Sequence, residues 1–211
     1  MGFFDKMLGK NEEEVRPPLQ HPKDLCVGDI VKFAFLPQDD LTNQRYEVIE
    51  VNTYDFEDEM TTSFSLKGES GNIVWLSAVN EDGEEYLAVS KKLTRGQVTT
   101  LFDADAFAEV FEEGAGTQLD RIETPEGFEE WTANHYTEIE DCSHGYYHKG
   151  DYRNTELPKY EDESESLEFY LLEDDDEDYA VEIEVYKGGD TEVYAVVYLE
   201  LSAIDELMPG Q

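Results

Sequence analysis

Short runs of alternating apolar and polar residues follow one another along most of the chain, separated by turns rich in glycine and acidic residues. Because successive side chains of a strand point to opposite faces, such runs predict half-buried β-strands. Asp82-Gly83 is a strong hairpin signal between two of them. Turn signals at this spacing predict an antiparallel meander or barrel. The first-half runs are IVKFAFL, RYEVIEVNTY, MTTSFSL, IVWLSAV and YLAVSKKL.

The second half of the chain repeats this pattern loosely. HYTEIED resembles RYEVIEV, and three further runs between 166 and 201 are joined by an acidic turn and by KGGD. The same order of strand, turn, strand, Gly turn and strand occurs in the first half. We therefore predict an internal duplication, giving a mainly β fold of two antiparallel meander or barrel-like units.

One short helix is predicted between the two units, within FDADAFAEVFEEG. Asp103 is placed as its N-cap, and Phe102 and Phe107 have the spacing of a hydrophobic staple. Gly114 supplies the stop signal. At the C-terminus, Ser202 and Asp205 form a capping-box pattern that predicts one further helical turn.

The N-terminal segment MGFFDKMLGK places four apolar residues on one face of a helix. A proline-rich, acidic linker separates this segment from the rest of the chain, so it is not expected to pack on the folded core. We predict a small interfacial anchor that docks weakly to a membrane, with a partner's groove or a disordered tail as alternatives. The docking residues are Phe3, Phe4, Met7 and Leu8.

These patterns divide the chain into five parts. The predicted divisions are an amphipathic segment at 1–10, a linker at 11–24, a first β unit at 25–98, a connecting helix and loop at 99–127, and a second β unit at 128–211.

Charge restricts the class of partner. The chain has 52 acidic and 15 basic residues, for a net charge of −37. Nucleic acid is not an expected partner, since phosphate binding requires Lys and Arg. Metal ions, polyamines and basic protein surfaces are attracted instead. Adaptation to salt, simple solvation and mimicry of nucleic acid are alternative explanations of the acid excess.

The segment DCSHGYYHKGDYR carries the residues that most resemble a metal site. Cys142, His144 and His148 share one face of a strand, but side chains four residues apart are separated by roughly 13 Å. A zinc ion needs its ligand nitrogens within about 4 Å of one another. A polar strand with aromatic residues is the favoured interpretation. A metal site would need a sharp bend or ligands from elsewhere, so no stoichiometric zinc is expected.

No other motif predicts chemistry. Nucleotide-binding, hydrolase and zinc-protease motifs do not occur, and no cofactor or catalytic residue is predicted. No secretory signal and no apolar run of about 20 residues is found, which predicts a cytoplasmic protein. Cys26 and Cys142 are expected to be free thiols there, although the sequence leaves a disulfide between them open.

Several of these runs are similar to a known family. GDIVKF, RYEVIEVNTYDF, FSLKGESGNIVWLSAV and EYLAVSKKL resemble the bacterial domain-of-unknown-function family numbered four-one-seven-eight. The likeness covers most of 25–207 and includes Trp75, Leu76 and Ser77. It implies an all-β fold in a bacterial cytoplasm, with genes for phage-shock-type membrane-stress proteins and polyamine metabolism nearby. It implies no activity.

The leading functional prediction is a non-enzymatic, acidic cytoplasmic adaptor in a membrane-stress system. Its N-terminus would dock at the inner membrane, and its body would bind a basic or phage-shock-type protein. The sequence does not determine the oligomeric state. The main alternative is a protein that binds or processes a polyamine or another cation. A cavity lined by carboxylates and tyrosines would favour the cation, and a solid β core with flat acidic faces would favour the adaptor.

Overall fold

The computed structural model describes residues 18–57, 59–81, 83–112, 114–158 and 164–210. The four predicted docking residues, Phe3, Phe4, Met7 and Leu8, lie outside these ranges, as does the first half of the predicted linker, 11–17. Its last residues form a 3-10 turn at Pro22–Asp24, which the His21 side chain caps by accepting from the Lys23 amide. Pro22 is buried, so the body of the fold begins slightly before the predicted boundary at residue 25.

Strands dominate the described chain, as the alternating pattern predicts. The strands are β1 Ile30–Phe33, β2 Arg45–Phe56, β3 Met60–Gly68, β4 Ile73–Glu81, β5 Glu84–Leu93, β6 Gln118–Asp120, β7 His135–His148, β8 Ser164–Glu173, β9 Tyr179–Tyr186, β10 Thr191–Glu200 and β11 Ile204–Met208. The helices are α1 Arg95–Leu101 and α2 Ala104–Glu109.

Eight of the strands close into an antiparallel barrel in the order β2-β3-β4-β5-β10-β9-β8-β7. The closing pair is β2 and β7, in which Thr53 to Phe56 lie opposite His148 to Gly145. The short strands β1 and β11 extend the sheet beyond β2, and β6 extends it beyond β7. The predicted mainly β, barrel-like fold is confirmed.

The predicted duplication is visible in the strand pairing. Strands β1 to β5 form one five-stranded antiparallel meander, and β6 to β10 form a second. The two meanders join through their last strands, β5 with β10, and through their second strands, β2 with β7. The two halves therefore have the same topology and contact each other through equivalent strands.

The two faces of the barrel wall differ in chemistry. On β4, Val74 and Leu76 are fully buried in the main apolar core, whereas Trp75 and Ser77 line an interior cavity. The core therefore lies on the outer face of the wall. Terminal and connecting segments cover it, contributing buried side chains such as Leu25 and Trp131. Most of the buried aliphatic side chains thus point away from the barrel interior, whereas polar and aromatic side chains predominate inside it.

The connection between the meanders contains two short helices where one was predicted. Thr94 and Gln97 form a capping box on α1, which the sequence analysis missed. Asp103 caps α2 by accepting from two backbone amides, as predicted. Phe102 and Phe107 stack with their ring centroids 6.0 Å apart, in agreement with the predicted staple. In the described part of the chain, no helix has the length and apolar character needed to cross a membrane.

The prediction of a helical turn at the C-terminus was wrong. Leu201–Ala203 form a 3-10 turn without a side-chain cap, and the chain then continues as β11. The Ser202 hydroxyl contacts the carboxylate of Glu200 at 3.1 Å instead of capping a helix. Pairing with β1 satisfies the backbone groups of this segment, which therefore needs no helix.

Candidate functional site

A cavity of about 640 Å³ occupies the barrel interior. All eight barrel strands contribute to its wall, which combines aromatic rings, hydroxyl groups and carboxylates. One lining residue from each strand, in chain order, is Tyr54, Ser63, Trp75, Ser90, Ser143, Phe169, Glu184 and Tyr194.

Contacts between strands that are not neighbours show that these side chains meet across the interior. Tyr54 on β2 donates a hydrogen bond to Glu184 on β9, although neither strand pairs with the other. The Tyr186 hydroxyl also donates to the Glu184 carboxylate, at 2.5 Å. Trp75 and Tyr194 meet edge to face, with ring centroids 5.2 Å apart. One end of the cavity is therefore a fixed network of aromatic rings around a carboxylate.

Two carboxylates of β9 face this interior from alternate positions. Glu184 is only 5% exposed. Glu182 is partly buried and lines the same cavity. Burial raises the pKa of Glu182 to about 8, and the nearby Glu184 carboxylate adds to this effect. The pKa of Glu184 is also raised, chiefly by burial. Both groups therefore resist ionisation more strongly than an exposed glutamate does.

Basic side chains are absent from the wall of this cavity, so far as the structure describes its residues. Lys92 lines an adjoining recess that shares Tyr54, Trp75 and Tyr194 with the cavity. Its ammonium group is held in an ion pair by Glu192 and lies 5.9 Å from the centre of the Tyr194 ring. The Glu182 and Glu184 pair therefore has no dedicated cationic partner from the lining side chains.

The interior tyrosines remain neutral donors. Burial, followed by the nearby carboxylates, raises the pKa of Tyr54, Tyr194 and Tyr198 well above the usual range. The hydroxyl of Tyr198 donates to Glu173 at 2.8 Å, and that of Tyr194 donates to Glu192 at 2.5 Å. Each bond orients a carboxylate, and in Glu192 the second oxygen is held by the Lys92 ammonium group.

The residues of the predicted metal site separate into two places. Cys142 and His144 lie close together on β7, and Glu168 of β8 joins them. His148 lies apart from them, fully buried, with its ring 5.7 Å from that of Tyr152. Burial lowers the pKa of His148, which favours the neutral ring. His148 therefore does not share a ligand cluster with the other two.

Sequence reasoning missed Glu182 and Glu184, the most buried acids of the cavity. Their segment, AVEIEVY, alternates as a strand should. On a strand with one wet face, such glutamates would point to solvent. Here Val181 and Ile183 face the covered outer core, so the glutamates point inward. The inward direction of these glutamates follows only if both faces of β9 are known to be covered, and the sequence does not show this.

Three comparisons bear on relationship to known proteins. Models of known protein families, curated proteins and solved structures give no match to the chain. The likeness to the family described from the sequence therefore stays a prediction. The fold is an antiparallel barrel with few helices, and its interior is the part of the molecule that indicates a function.

Proposed function

We propose that the protein binds an organic ammonium ion inside the barrel. The observation that carries this proposal is the pair Glu182 and Glu184, which faces an interior cavity whose described lining has no basic side chain. In the empty protein, burial favours the protonated form of these groups, and a bound cation would stabilise the ionised form in its place. The cavity is also within the range of about 300–1,000 Å³ that is typical of small-molecule sites.

The aromatic wall supports an ammonium ion carried on a hydrocarbon stem. The faces of Trp and Tyr rings attract cations and also contact methylene groups. Trp75 and Tyr194 provide such a surface, and Val79 and Leu171 add apolar contact area. Lys92 illustrates the chemistry within the same molecule, since its ammonium group lies between the Glu192 carboxylate and the Tyr194 ring. A free alkylamine can make equivalent contacts on the Glu182 side.

Among ligands of this class, we favour a linear polyamine. Several further carboxylates line the cavity, among them Glu140 and Glu173, so more than one ammonium group can be matched. The proposal follows the cation-binding alternative of the sequence analysis, and it places this binding in the cytoplasm. The adaptor hypothesis stays a prediction, because its docking residues lie outside the described ranges.

Ligand affinity is expected to rise with pH. The cation binds the ionised form of Glu182, and the empty protein holds a proton on this group below a pKa of about 8. Binding below that pH must therefore release a proton. The observed affinity should fall by up to about tenfold for each pH unit below 8, for one linked proton.

Isothermal titration calorimetry with spermidine tests the proposal. We expect Glu182→Gln and Glu184→Gln each to weaken spermidine binding, because each removes one carboxylate while keeping the side-chain volume. Glu206→Gln is the matched control, since Glu206 is exposed on β11, away from the cavity. Repeating the titration in buffers of different ionisation enthalpy measures the proton release.

Two outcomes would refute the proposal. The first is equal spermidine binding by the wild type, both cavity variants and the control. The second is a thermal shift with spermidine no larger than that with sodium chloride at equal ionic strength, because a specific ligand adds a stabilisation of RT ln(1 + [L]/Kd).

A further inference from the structure

A second cluster of chemically active side chains lies on the barrel wall at β7 and β8. Cys142, His144 and Glu168 each present one ligand atom, and these atoms all lie within 4.8 Å of one another. Cys142 is partly buried against the outer core, and His144 is exposed. Their neighbours Ser143 and Phe169 line the interior cavity. The cluster is therefore on the opposite face of the wall from the proposed ammonium site.

A bulge in β7 brings these residues together. The register between β7 and β8 shifts between Glu140 and Ser143, and Cys142 adopts a φ of 55°. A bulge bends its strand and changes the direction of nearby side chains. His144 lies directly opposite Glu168 on β8. A regular strand would hold ligands of β7 too far apart for one metal ion, but β7 is bulged here and Glu168 comes from β8.

All three ligand groups contact neighbouring polar atoms. Nδ1 of His144 lies 3.0 Å from the carbonyl oxygen of Cys142. A proton on Nδ1 donates to that carbonyl, so Nε2 carries the lone pair. Zinc-binding histidines are commonly fixed in this way by a hydrogen bond from the second ring nitrogen. The Tyr170 hydroxyl contacts the other two ligand groups, since it hydrogen-bonds to the Cys142 thiol and lies 3.4 Å from one carboxylate oxygen of Glu168.

We propose that Cys142, His144 and Glu168 bind one zinc ion, with water completing a tetrahedral site. Thiolate, imidazole and carboxylate are the three protein ligand types that zinc uses. Bonds of about 2.0–2.3 Å at tetrahedral angles put neighbouring ligand atoms about 3.5 Å apart. The ligand atoms therefore need to approach by about 1 Å, within reach of side-chain rotation. A thiolate argues against calcium and magnesium, which prefer oxygen ligands.

The bound ion would hold the bulge of β7 to β8. It would join three side chains across one strand pair, so it would restrain the wall without entering the cavity. The inference is independent of the proposed ammonium binding, because no residue of the cluster lines the cavity.

Cobalt(II) is the probe for the test, since it substitutes for zinc and gives visible absorption. Untagged full-length protein, reduced and freed of metal, is titrated with cobalt. We expect tetrahedral d–d bands and a thiolate-to-cobalt charge-transfer band at a one-to-one ratio, both lost on addition of zinc. The exposed acids elsewhere on the chain can bind cobalt weakly, but they cannot produce the thiolate band.

Variants decide which residues hold the ion. Cys142→Ser should abolish the charge-transfer band, and His144→Gln and Glu168→Gln should each weaken cobalt affinity by about tenfold or more. Cys26→Ser is the thiol control, because Cys26 is the other free cysteine of the chain. Glu165→Gln is the carboxylate control, an exposed residue on the same strand as Glu168.

The absence of a thiolate band in the wild type would overturn the inference, as would a band that persists in Cys142→Ser or disappears in Cys26→Ser. Circular dichroism and urea unfolding of each variant separate loss of the site from loss of the fold. If Cys142→Ser does not fold, the exposed His144→Gln variant decides the question by its cobalt affinity.

Discussion

Replacing Glu182 by glutamine should stabilise the empty protein at alkaline pH. The pKa of Glu182 is about 8 in the folded chain, against a usual value of 4.5. A carboxyl group whose pKa is raised by folding favours the folded state while it is protonated. Its contribution to stability is therefore lost as pH rises from 4.5 through about 8. Glutamine has no charge to bury, so the variant escapes this loss.

The size of the effect follows from the two pKa values. Their difference, about 3.5 pH units at about 1.4 kcal/mol each, gives about 5 kcal/mol at full ionisation as an upper figure. The partial exposure of Glu182 reduces this value, so we expect a gain of about 2–4 kcal/mol near pH 9. Near pH 5 the two proteins should differ by about 1 kcal/mol or less, because the wild-type group is then protonated in the folded state.

Urea unfolding at a series of pH values measures this effect. The large negative charge of the chain changes with pH in both proteins, so the difference between variant and wild type isolates Glu182. Glu206→Gln serves as the control and should show a difference that is small at every pH, since Glu206 is exposed. A stability difference for Glu182→Gln that does not change with pH, or a less stable variant near pH 9, would refute the reasoning.

Three further predictions concern the core, the charge and the N-terminus. Leu76→Ala removes a fully buried side chain and should lower the free energy of unfolding by about 2–5 kcal/mol in urea titrations; a loss below about 1 kcal/mol would contradict its place in the core. Moderate sodium chloride should raise the melting temperature in a thermal scan, because the net charge of −37 opposes compaction and salt screens it; an unchanged or lowered value would argue against such repulsion. Deleting residues 1–10 should leave the melting temperature unchanged but abolish liposome co-sedimentation or partner capture, and equal binding by the truncated protein would exclude the predicted anchor.

The strands could be predicted because their signal is local. Alternation places every second residue of β2 and β10 on one face, and a glycine-containing turn such as 187–190 marks where a strand stops. The duplication could also be predicted, since the two halves repeat the same order of runs and turns. These features depend on residues a few positions apart, whose spacing the sequence states directly.

The closure and the interior site could not be predicted in this way. The pairing of Thr53 with His148 joins residues that are distant in the sequence, and no local pattern specifies it. The inward direction of Glu182 depends on which face the connecting segments cover. The bulge at Cys142 shifts the register between β7 and β8, which a regular strand pair would keep constant. Glu168 joins the cluster only because β8 pairs with β7. One segment of the sequence therefore contains Cys142 and His144 but not Glu168.

The two seams that join the meanders differ in length. The seam between β5 and β10 contains eight residue pairs, whereas the seam between β2 and β7 contains four. At the shorter seam, a Cβ added to Gly145 would come within 2.6 Å of the Phe56 ring, so this ring covers the bare backbone of the opposite strand. Fewer cross-strand hydrogen bonds make local opening easier, and amides there should exchange with solvent faster than those of the longer seam. The seam between β2 and β7 is therefore the place where the barrel wall should separate first.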